Sequence, residues 1–176
     1  MKGMASFFLI EPTTDLRDSW LAAQREHAEI DGHTEVWGLS IEELESHGSI
    51  AGLIESMRFM PDTAPGLASE WWWVEQTDAG ERRYIGRVVL RPEPAPYEGH
   101  LHVAVRPSRR RQGHGTRALE AALPIAAGRG FLSVVLAVPR RNEAARRLVL
   151  RLGATPLAQG PVDRFTLSTS AQVAAR

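Results

Sequence analysis

The chain begins with a strand pattern that gives way to helical spacing. Consecutive apolar residues at 5–10 predict a first strand. Over residues 15–30, apolar side chains return every three or four positions and predict an amphipathic helix, which a threonine pair just before it can cap. A second helix is predicted over about 41–57, where Ser40 opens the Ser-x-x-Glu spacing of a capping box. Two glycines inside this helix predict that it breaks into two pieces.

The middle of the chain has the composition and alternation of β-strands. Segments 70–76 and 84–91 are rich in aromatic and β-branched residues, and the turn between them predicts a hairpin. Three prolines between positions 92 and 96 are expected to exclude regular structure. The next strand, 100–105, alternates between two faces. One face carries Leu101, Val103 and Val105, and the other carries His100, His102 and Ala104.

The second half alternates helices and strands. The pattern predicts a helix over 113–127, a buried strand over 132–138, a helix over 142–152 and a last strand over 163–167. A strand, a crossover helix and a second strand favour a parallel strand pair. We therefore expect a mixed α/β (α+β) fold with about six to seven strands. Its sheet would be antiparallel in the first half, contain a parallel pair in the second, and carry helices on both faces.

Length and composition narrow the class of protein. The 176 residues suit a single domain over 1–167, followed by a C-terminal tail over 168–176. The absence of cysteine excludes disulfides, thiolate metal sites and a cysteine nucleophile, and we expect no metal. No apolar run is long enough to cross a membrane, and the N-terminal stretch lacks the features of a signal peptide. We expect a soluble cytoplasmic protein that does not bind membranes.

Charge is separated along the chain. Residues 1–80 hold 4 basic and 15 acidic side chains, a net charge of −11, and residues 81–176 hold 17 basic and 6 acidic ones, a net charge of +11. If the halves stay apart in space, this separation predicts a basic surface for an anionic ligand and an acidic surface for a cationic one. A chance layout over a solvated surface is the alternative. The neutral total argues against a nucleic-acid partner.

One segment, VAVRPSRRRQGHGT over 103–116, joins a strand to a helix N-terminus through a basic turn. Unpaired amides, the helix dipole and glycine favour the close approach of a phosphate there. The triplet Arg109 to Arg111 adds charged donors. It also leaves RNA or DNA binding as a weaker alternative. The spacing Arg110-x-x-Gly113-x-Gly115 is neither an NTPase phosphate loop nor a dinucleotide fingerprint, so it predicts another kind of anion cradle.

This signature, after a strand ending in Val105-Arg106-Pro107, closely resembles the GNAT superfamily of acyl-CoA-dependent N-acyltransferases. Asn142-Glu143-Ala144-Ala145 matches the family's Asn-x-x-Ala helix, and Gly153-Ala154 matches the pair that closes it. The similarity covers roughly residues 70–167, which would form the acetyl-CoA-binding core. Residues 1–69 match only in the order of elements and would form the acceptor side.

The resemblance implies an N-acetyltransferase that moves an acetyl group from acetyl-CoA to a primary amine. The amine would belong to a small molecule or a peptide, and a homodimer is a family expectation. Backbone groups of Val103 and Val105 would pair with the pantetheine arm between splayed strands, and Asn142 would contact the pantetheine or thioester end. The pyrophosphate would be held by amides of Arg110, Arg111, Gln112, Gly113, His114, Gly115 and Thr116. A non-catalytic CoA-binding module is the alternative.

The acceptor nitrogen must be neutral before it attacks. For an amine with a pKa near 10.4, reaching that form at pH 7 costs about 4.6 kcal/mol, so a base is expected. His100 and His102 are candidate bases on the strand that would bear the thioester, and Glu98 and Glu70 are carboxylate alternatives acting through water. The position where many relatives carry a strand glutamate falls on Gly99.

The general acid of many relatives, a tyrosine seven residues after the asparagine, is replaced here by Val149. Tyr97, in the loop before the strand 100–105, would fill that role, or CoA would leave as a thiolate. Without cysteine, the resemblance implies direct attack in a ternary complex, with a strand amide near Val103 stabilising the oxyanion. Plain structural roles stay open for these residues: core for the valines, turns for the glycines, a helix cap for Asn142, and hydrogen-bonded strand positions for the histidines.

Three consecutive tryptophans, Trp71 to Trp73, alternate in direction along their strand. One face is expected to join the core. The other would wall an acceptor pocket, form a dimer surface or hold a cationic amine.

Overall fold

The computed structural model describes residues 5–36, 38–46, 50–58 and 68–170, which form seven strands and five helices. The strands are β1 (Ser6–Ile10), β2 (Ser69–Gln76), β3 (Arg82–Ala95), β4 (Gly99–Val105), β5 (Ser133–Pro139), β6 (Thr155–Ala158) and β7 (Val162–Ser168). The helices are α1 (Arg17–Asp31), α2 (Ile41–Ser46), α3 (Ile50–Arg58), α4 (His114–Gly128) and α5 (Glu143–Arg151). The last six residues of the predicted tail lie outside the described residues.

One sheet contains all seven strands in the order β1-β2-β3-β4-β5-β7-β6. The prediction of a mixed fold with about six to seven strands is confirmed. The predicted parallel pair is not found, because every pairing in the described sheet is antiparallel. Strand β6, which has no apolar alternation, is an element that the sequence pattern missed.

Strands β4 and β5 meet at a single pairing, Gly99 with Leu136. Gly99 has a φ of 71°, and a Cβ there would lie 2.2 Å from the Val135 carbonyl oxygen. The adjacent His100 accepts the Val135 N–H at its Nδ1, 2.9 Å away. The His100 side chain therefore binds the Val135 amide, which a backbone carbonyl would bind in a regular ladder, and no parallel ladder forms between β4 and β5.

Strand β3 extends through two of the prolines that were expected to end it. It runs to Ala95, although its regular pairing with β4 stops at Leu90. Pro92 and Pro94 lie beyond that point and also beyond the end of pairing with β2. Because no ladder bond is needed there, the missing proline N–H costs nothing and the chain stays extended.

The predicted capping box is confirmed. The Glu43 amide donates to Ser40 Oγ at 3.2 Å, and the Ser40 amide donates to Glu43 Oε2 at 2.7 Å. The described parts of the helix that follows are α2 and α3. The predicted break would fall at residues 47–49, which lie outside the described residues, so it stays a prediction.

Each face of the sheet packs against its own set of helices. Trp72 and Tyr84 belong to a core shared with α1, α2 and α3, and Trp20 of α1 stacks on Trp72 at 6.1 Å between ring centroids. Trp73 belongs to the opposite core, which contains α4, α5 and β7, and Trp71 packs against it. The predicted alternation of the tryptophans is confirmed, as are helices on both faces. Both faces of the tryptophan run join a core, because helices cover each side of the sheet. The expectation that one face walls an acceptor pocket, forms a dimer surface or holds a cationic amine is therefore wrong for Trp72 and Trp73, which are 0% and 4% exposed. In the part of the chain described above, no helix is long and apolar enough to cross a membrane.

Candidate active site

Strand β4 has an edge without a ladder partner. The Arg106 amide donates to the Ile85 carbonyl at 2.8 Å, so the pair Gly86–Val105 is of the non-hydrogen-bonded type. These pairs alternate along an antiparallel ladder, and the backbone groups of Val103 and Val105 therefore point away from β3. On that side the described strands pair with β4 only at Gly99. A length of backbone is left that can bind an extended ligand.

Helix α4 begins beside the end of this edge with an uncapped N-terminus. Gly113 occupies the N-cap position with a φ of 79°, and no side chain caps the helix. The first bond of the helix runs from the Arg117 amide to the Gly113 carbonyl at 3.1 Å. The amides of the three residues between them precede the helical ladder and form an anion-binding end. These residues are His114, Gly115 and Thr116.

Two of the three consecutive arginines are already paired with carboxylates. Arg109 makes a two-pronged contact with Glu75 of β2, with both N–O distances at 2.8 Å. Arg110 binds Asp31 at the end of α1 at 2.8 Å, and its Nε also donates to the Val105 carbonyl at 3.1 Å. The guanidinium groups of Arg109 and Arg110 hold the loop in place. Because they are paired with carboxylates, they are less available to bind phosphate than the sequence predicted.

The condition for two separate charged surfaces, that the two halves of the chain stay apart, is not met around the loop 106–110. Acidic side chains of the first half pair with arginines of the second, as in Arg109 with Glu75 and Arg110 with Asp31. Glu26 of α1 makes a third contact of this kind, since it accepts from Arg106 Nε at 2.8 Å and from the Ser108 amide at 3.1 Å. Folding thus brings the two halves of the chain together, and these ion pairs hold the loop 106–110 against α1 and β2.

Arg111 differs from its two neighbours. It is exposed, and within the described ranges it makes no ion pair. Its φ is 62°, in the left-handed region that non-glycine residues enter at a cost of roughly 1–2 kcal/mol. The guanidinium group of Arg111 is therefore available to an anion held at the N-terminus of α4.

For the acetyl-CoA that the resemblance in the sequence implies as ligand, we expect Arg111→Ala to weaken binding about 10-fold, as for the loss of one hydrogen bond to a charged group. The effect should shrink as salt is raised, because the side chain is exposed. Calorimetric titration at two salt concentrations measures both changes. Arg151→Ala, at an exposed arginine in the last turn of α5, is the matched control. Equal weakening by both variants would show that only the net charge matters.

The Asp31–Arg110 pair also predicts how stability depends on pH. The hydrogen bond from Arg110 lowers the pKa of Asp31 from 3.8 to about 2. Because the folded-state pKa is below the unfolded one, this contribution is present above about pH 4 and is lost as pH falls towards 2. Asp31→Asn should therefore lower the free energy of unfolding at pH 6 and flatten its decline in acid. Urea unfolding between pH 6 and 2 measures this, and parallel curves for the two proteins would contradict it.

His114 and Asn142 have clear structural roles. The His114 ring is buried, with Nδ1 accepting from Trp73 Nε1 at 3.3 Å. Desolvation, followed by the charges of Arg117 and Arg109, lowers the pKa of His114 to about 4, so the ring is neutral at pH 7. Asn142 caps α5, with its Oδ1 accepting the Ala145 amide at 3.0 Å. Cofactor binding by either residue stays a prediction from the sequence. The predicted contact of His114 is its backbone amide, and that of Asn142 is the side-chain NH₂ group, which the helix cap does not use.

The two candidate bases on β4 have different surroundings. His100 uses Nδ1 to accept the Val135 amide, and its ring lies edge-on to Phe131. Burial lowers the pKa of His100, which favours the neutral ring. Protonation at Nδ1 would break the hydrogen bond that joins β4 to β5.

His102 lies among acidic side chains. Its Nε2 is 3.4 Å from Glu35 Oε2, and its Nδ1 is 3.9 Å from Glu98 Oε1. The side chain of His102 is 25% exposed, so solvent can reach it. Glu98 is also paired with Arg91. The structure thus brings together two of the predicted catalytic residues, His102 and Glu98, and leaves His100 in a separate contact.

Glu35 is held in an ionised state. Burial raises its pKa, but the His102 hydrogen bond and the Arg87 charge outweigh burial and lower it to about 2. Arg87 is buried between two carboxylates, with Glu35 at 3.4 Å and Glu70 at 3.3 Å. Glu70 also accepts from Trp72 Nε1 at 3.0 Å. Glu70, the other carboxylate considered as a base, therefore already has a partner for each oxygen, Arg87 and Trp72.

Sequence reasoning missed Glu35 and the arginine that faces it. Glu35 follows α1 in a segment without a recognisable motif, and its neighbours on β3 and β4 are distant in sequence. The only available signal was the excess of acidic residues in the first half. The structure also locates the two positions considered for a general acid: Val149, which replaces the expected tyrosine, is the buried residue of α5, and Tyr97 is 71% exposed.

An open strand edge beside an anion-binding helix N-terminus suits an extended ligand with phosphate at one end. The model of the acetyltransferase (GNAT) family matches residues 14–154, and the chain therefore belongs to this family. The resemblance seen in the sequence is confirmed, and the match also includes α1 and α2. No curated protein sequence matches the chain.

Solved structures share the fold over most of the chain. Microcin C7 self-immunity acetyltransferase MccE, in complex with acetyl-CoA and AMP, is 12% identical, with a TM-score of 0.67 and coverage of 92% of each chain. PaiA N-acetyltransferase from Thermoplasma acidophilum, in complex with coenzyme A, is 17% identical, with a TM-score of 0.58 and coverage of 93% of this chain and 99% of that one. A chimera of the spermidine N-acetyltransferase SpeG from Vibrio cholerae and hSSAT is 17% identical, with a TM-score of 0.59 and coverage of 97% and 99%. At these identities the likeness concerns the fold.

Proposed function

We propose that this protein is an N-acetyltransferase that moves the acetyl group of acetyl-CoA to a primary amine. The observation that carries the proposal is the open edge of β4 beside the uncapped N-terminus of α4. The outward backbone groups of Val103 and the outward amide of Val105 suit the amide-containing pantetheine arm, whereas the Val105 carbonyl already accepts from Arg110 Nε. The amides at the start of α4 suit the pyrophosphate of the coenzyme. Neighbours of the same fold are complexes with coenzyme A or acetyl-CoA.

His102 is the base in this proposal. The neutral amine attacks the thioester carbon, a C–N bond forms, and the C–S bond then breaks to release CoA. His102 removes the proton that the amine nitrogen sheds, either directly or through a water molecule held by Glu98. The outward amide of Val103 donates to the oxyanion of the tetrahedral intermediate. His100 is the weaker candidate because its Nδ1 already accepts the Val135 amide.

CoA departs as a thiolate in this scheme. Val149 occupies the position expected for a tyrosine acid, and it is buried among apolar side chains. Tyr97 is exposed in the turn before β4 and is the remaining hydroxyl candidate. Transfer is direct, since the chain contains no cysteine to carry the acetyl group.

Val149, which stands where many relatives have the tyrosine acid, also favours a second function. A GNAT-like module that binds CoA without turnover would need neither an acid nor a base. Acetyl transfer to an amine panel separates the two possibilities, with thiol release and acetylated product followed together. We expect product with a subset of amines. Acetyl-CoA binding without product for any amine class would favour the binding module.

A further inference from the structure

Among the residues that the structure describes, Glu35 is the one carboxylate that contacts both a candidate base, His102, and the buried Arg87 of β3. A single oxygen, Oε2, lies 3.4 Å from His102 Nε2 and 3.4 Å from Arg87. The Glu35 side chain is only 12% exposed. Its backbone amide donates to the side chain of Gln24, a fully buried residue of α1, at 2.9 Å. The backbone of Glu35 is therefore held by α1, and its carboxylate is held by Arg87 of β3.

We infer that Glu35 is a positioning residue for His102, accepting the Nε2–H of the imidazole and leaving the Nδ1 lone pair as the basic atom. This inference deepens the proposed function and rests on it. A neutral histidine carries one ring proton, and the hydrogen bond made by one nitrogen determines which nitrogen keeps it. An ionised carboxylate can only accept, so the contact with Glu35 selects the Nε2–H form. Nδ1 is then the nitrogen nearer to Glu98, 3.9 Å from its Oε1.

The charges around His102 support the same assignment. Glu35 faces it from the segment after α1, and Glu98 faces it from the turn before β4. Each carboxylate has an arginine of β3 as a second partner: Arg87 for Glu35 and Arg91 for Glu98. His27 of α1 lies 3.7 Å from the other oxygen of Glu35, and burial lowers the pKa of His27, which favours its neutral form. When His102 takes up the acceptor's proton at Nδ1, the imidazolium lies between two carboxylates.

Glu70 provides a matched control. Like Glu35 it is largely buried, at 11% exposure, and it pairs with Arg87 from the opposite side at 3.3 Å. Its second oxygen accepts from Trp72, and no contact with His102 is recorded for it among the described residues. Glu70→Gln therefore removes a carboxylate from Arg87 without removing one from the histidine. Any effect that passes only through Arg87 should appear in both variants.

The kinetic test compares Glu35→Gln with Glu70→Gln in acetyl transfer across pH. Removing the carboxylate should lower kcat on the order of 10-fold or more and move the acid limb of the pH profile to lower pH by about one unit. The KM for acetyl-CoA should stay within about twofold, because Glu35 lies outside the phosphate-binding loop. Glu70→Gln should leave the acid limb in place. Equal movement of the limb in both variants would overturn the inference.

A structural readout needs no turnover. Ring ¹⁵N shifts of His102 in the free protein distinguish the Nε2–H form from the Nδ1–H form. We expect the Nε2–H form in the unaltered protein and a mixture in Glu35→Ala. A dominant Nδ1–H form in the unaltered protein would overturn the inference. If Glu35→Ala fails to fold beside the buried Arg87, the shifts of the unaltered protein and the Glu35→Gln profile decide the matter. Correct ring shifts in a protein that acetylates no amine would contradict the proposed function alone.

Discussion

Replacing His102 by glutamine is expected to lower kcat by a factor of about 10²–10⁴, the usual contribution of a positioned general base. Acetyl-CoA binding should be unchanged, because the His102 side chain lies on the Glu35 side of β4, whereas the amides proposed to bind the pyrophosphate belong to α4. Initial rates with a competent amine and calorimetric titration of acetyl-CoA measure the two quantities separately. A loss of binding equal to the loss of rate would show that His102 contributes to affinity.

His100→Gln is the comparison for this experiment. The His100 ring accepts the Val135 amide and so helps join β4 to β5. Its replacement should lower Tm and weaken acetyl-CoA binding, with a smaller effect on kcat than His102→Gln. If His100→Gln instead abolished turnover with Tm and binding intact, His100 would be the base and the assignment to His102 would be wrong.

Gly99→Ala is expected to cause the largest loss of stability among the glycine replacements in the sheet. A Cβ at this position would lie 2.2 Å from the Val135 carbonyl oxygen, and the φ of 71° already disfavours any side chain. Overpacking and left-handed backbone together cost roughly 3 kcal/mol or more. For a domain of this size, that lowers Tm by on the order of 10 °C. Thermal unfolding measures the change.

The same substitution should also weaken acetyl-CoA binding, because Gly99 is where β4 and β5 meet. Gly128→Ala is the control: a Cβ at this residue of α4 would have no heavy atom within 4 Å. It should be neutral or slightly stabilising, as expected for alanine in a helix. A Gly99→Ala protein with the Tm of the unaltered chain would mean that the close approach of the two strands is not maintained in solution.

Local features of this fold were readable from the sequence. The capping box at Ser40, the alternation of the tryptophans and the glycine turn before α4 each depend on residues close together in the chain. Their physical causes are hydrogen bonds and side-chain directions within one element. The family resemblance rested on two such local motifs, and the family match confirms it.

Features that depend on distant residues were not readable. The parallel pair was expected from a crossover helix, but one histidine side chain and one left-handed glycine determine how β4 meets β5. The two charged halves were expected to form separate surfaces, yet Glu75 pairs with Arg109 across the fold. Glu35 was missed for the same reason, since its partners lie on β3 and β4. No periodicity encodes which carboxylate will meet which arginine.

The most direct test of this account is thermal unfolding of the protein with acetyl-CoA, compared with CoA, ATP and buffer alone. At about 100 times its dissociation constant, a ligand adds about 2.7 kcal/mol to the free energy of unfolding, which raises Tm by several degrees. We expect that rise with acetyl-CoA and a much smaller one in Gly115→Val, whose side chain would meet Leu148 at the start of α4, where the pyrophosphate is proposed to bind. No rise at millimolar acetyl-CoA would contradict the assignment of β4 and α4 as an acetyl-CoA site.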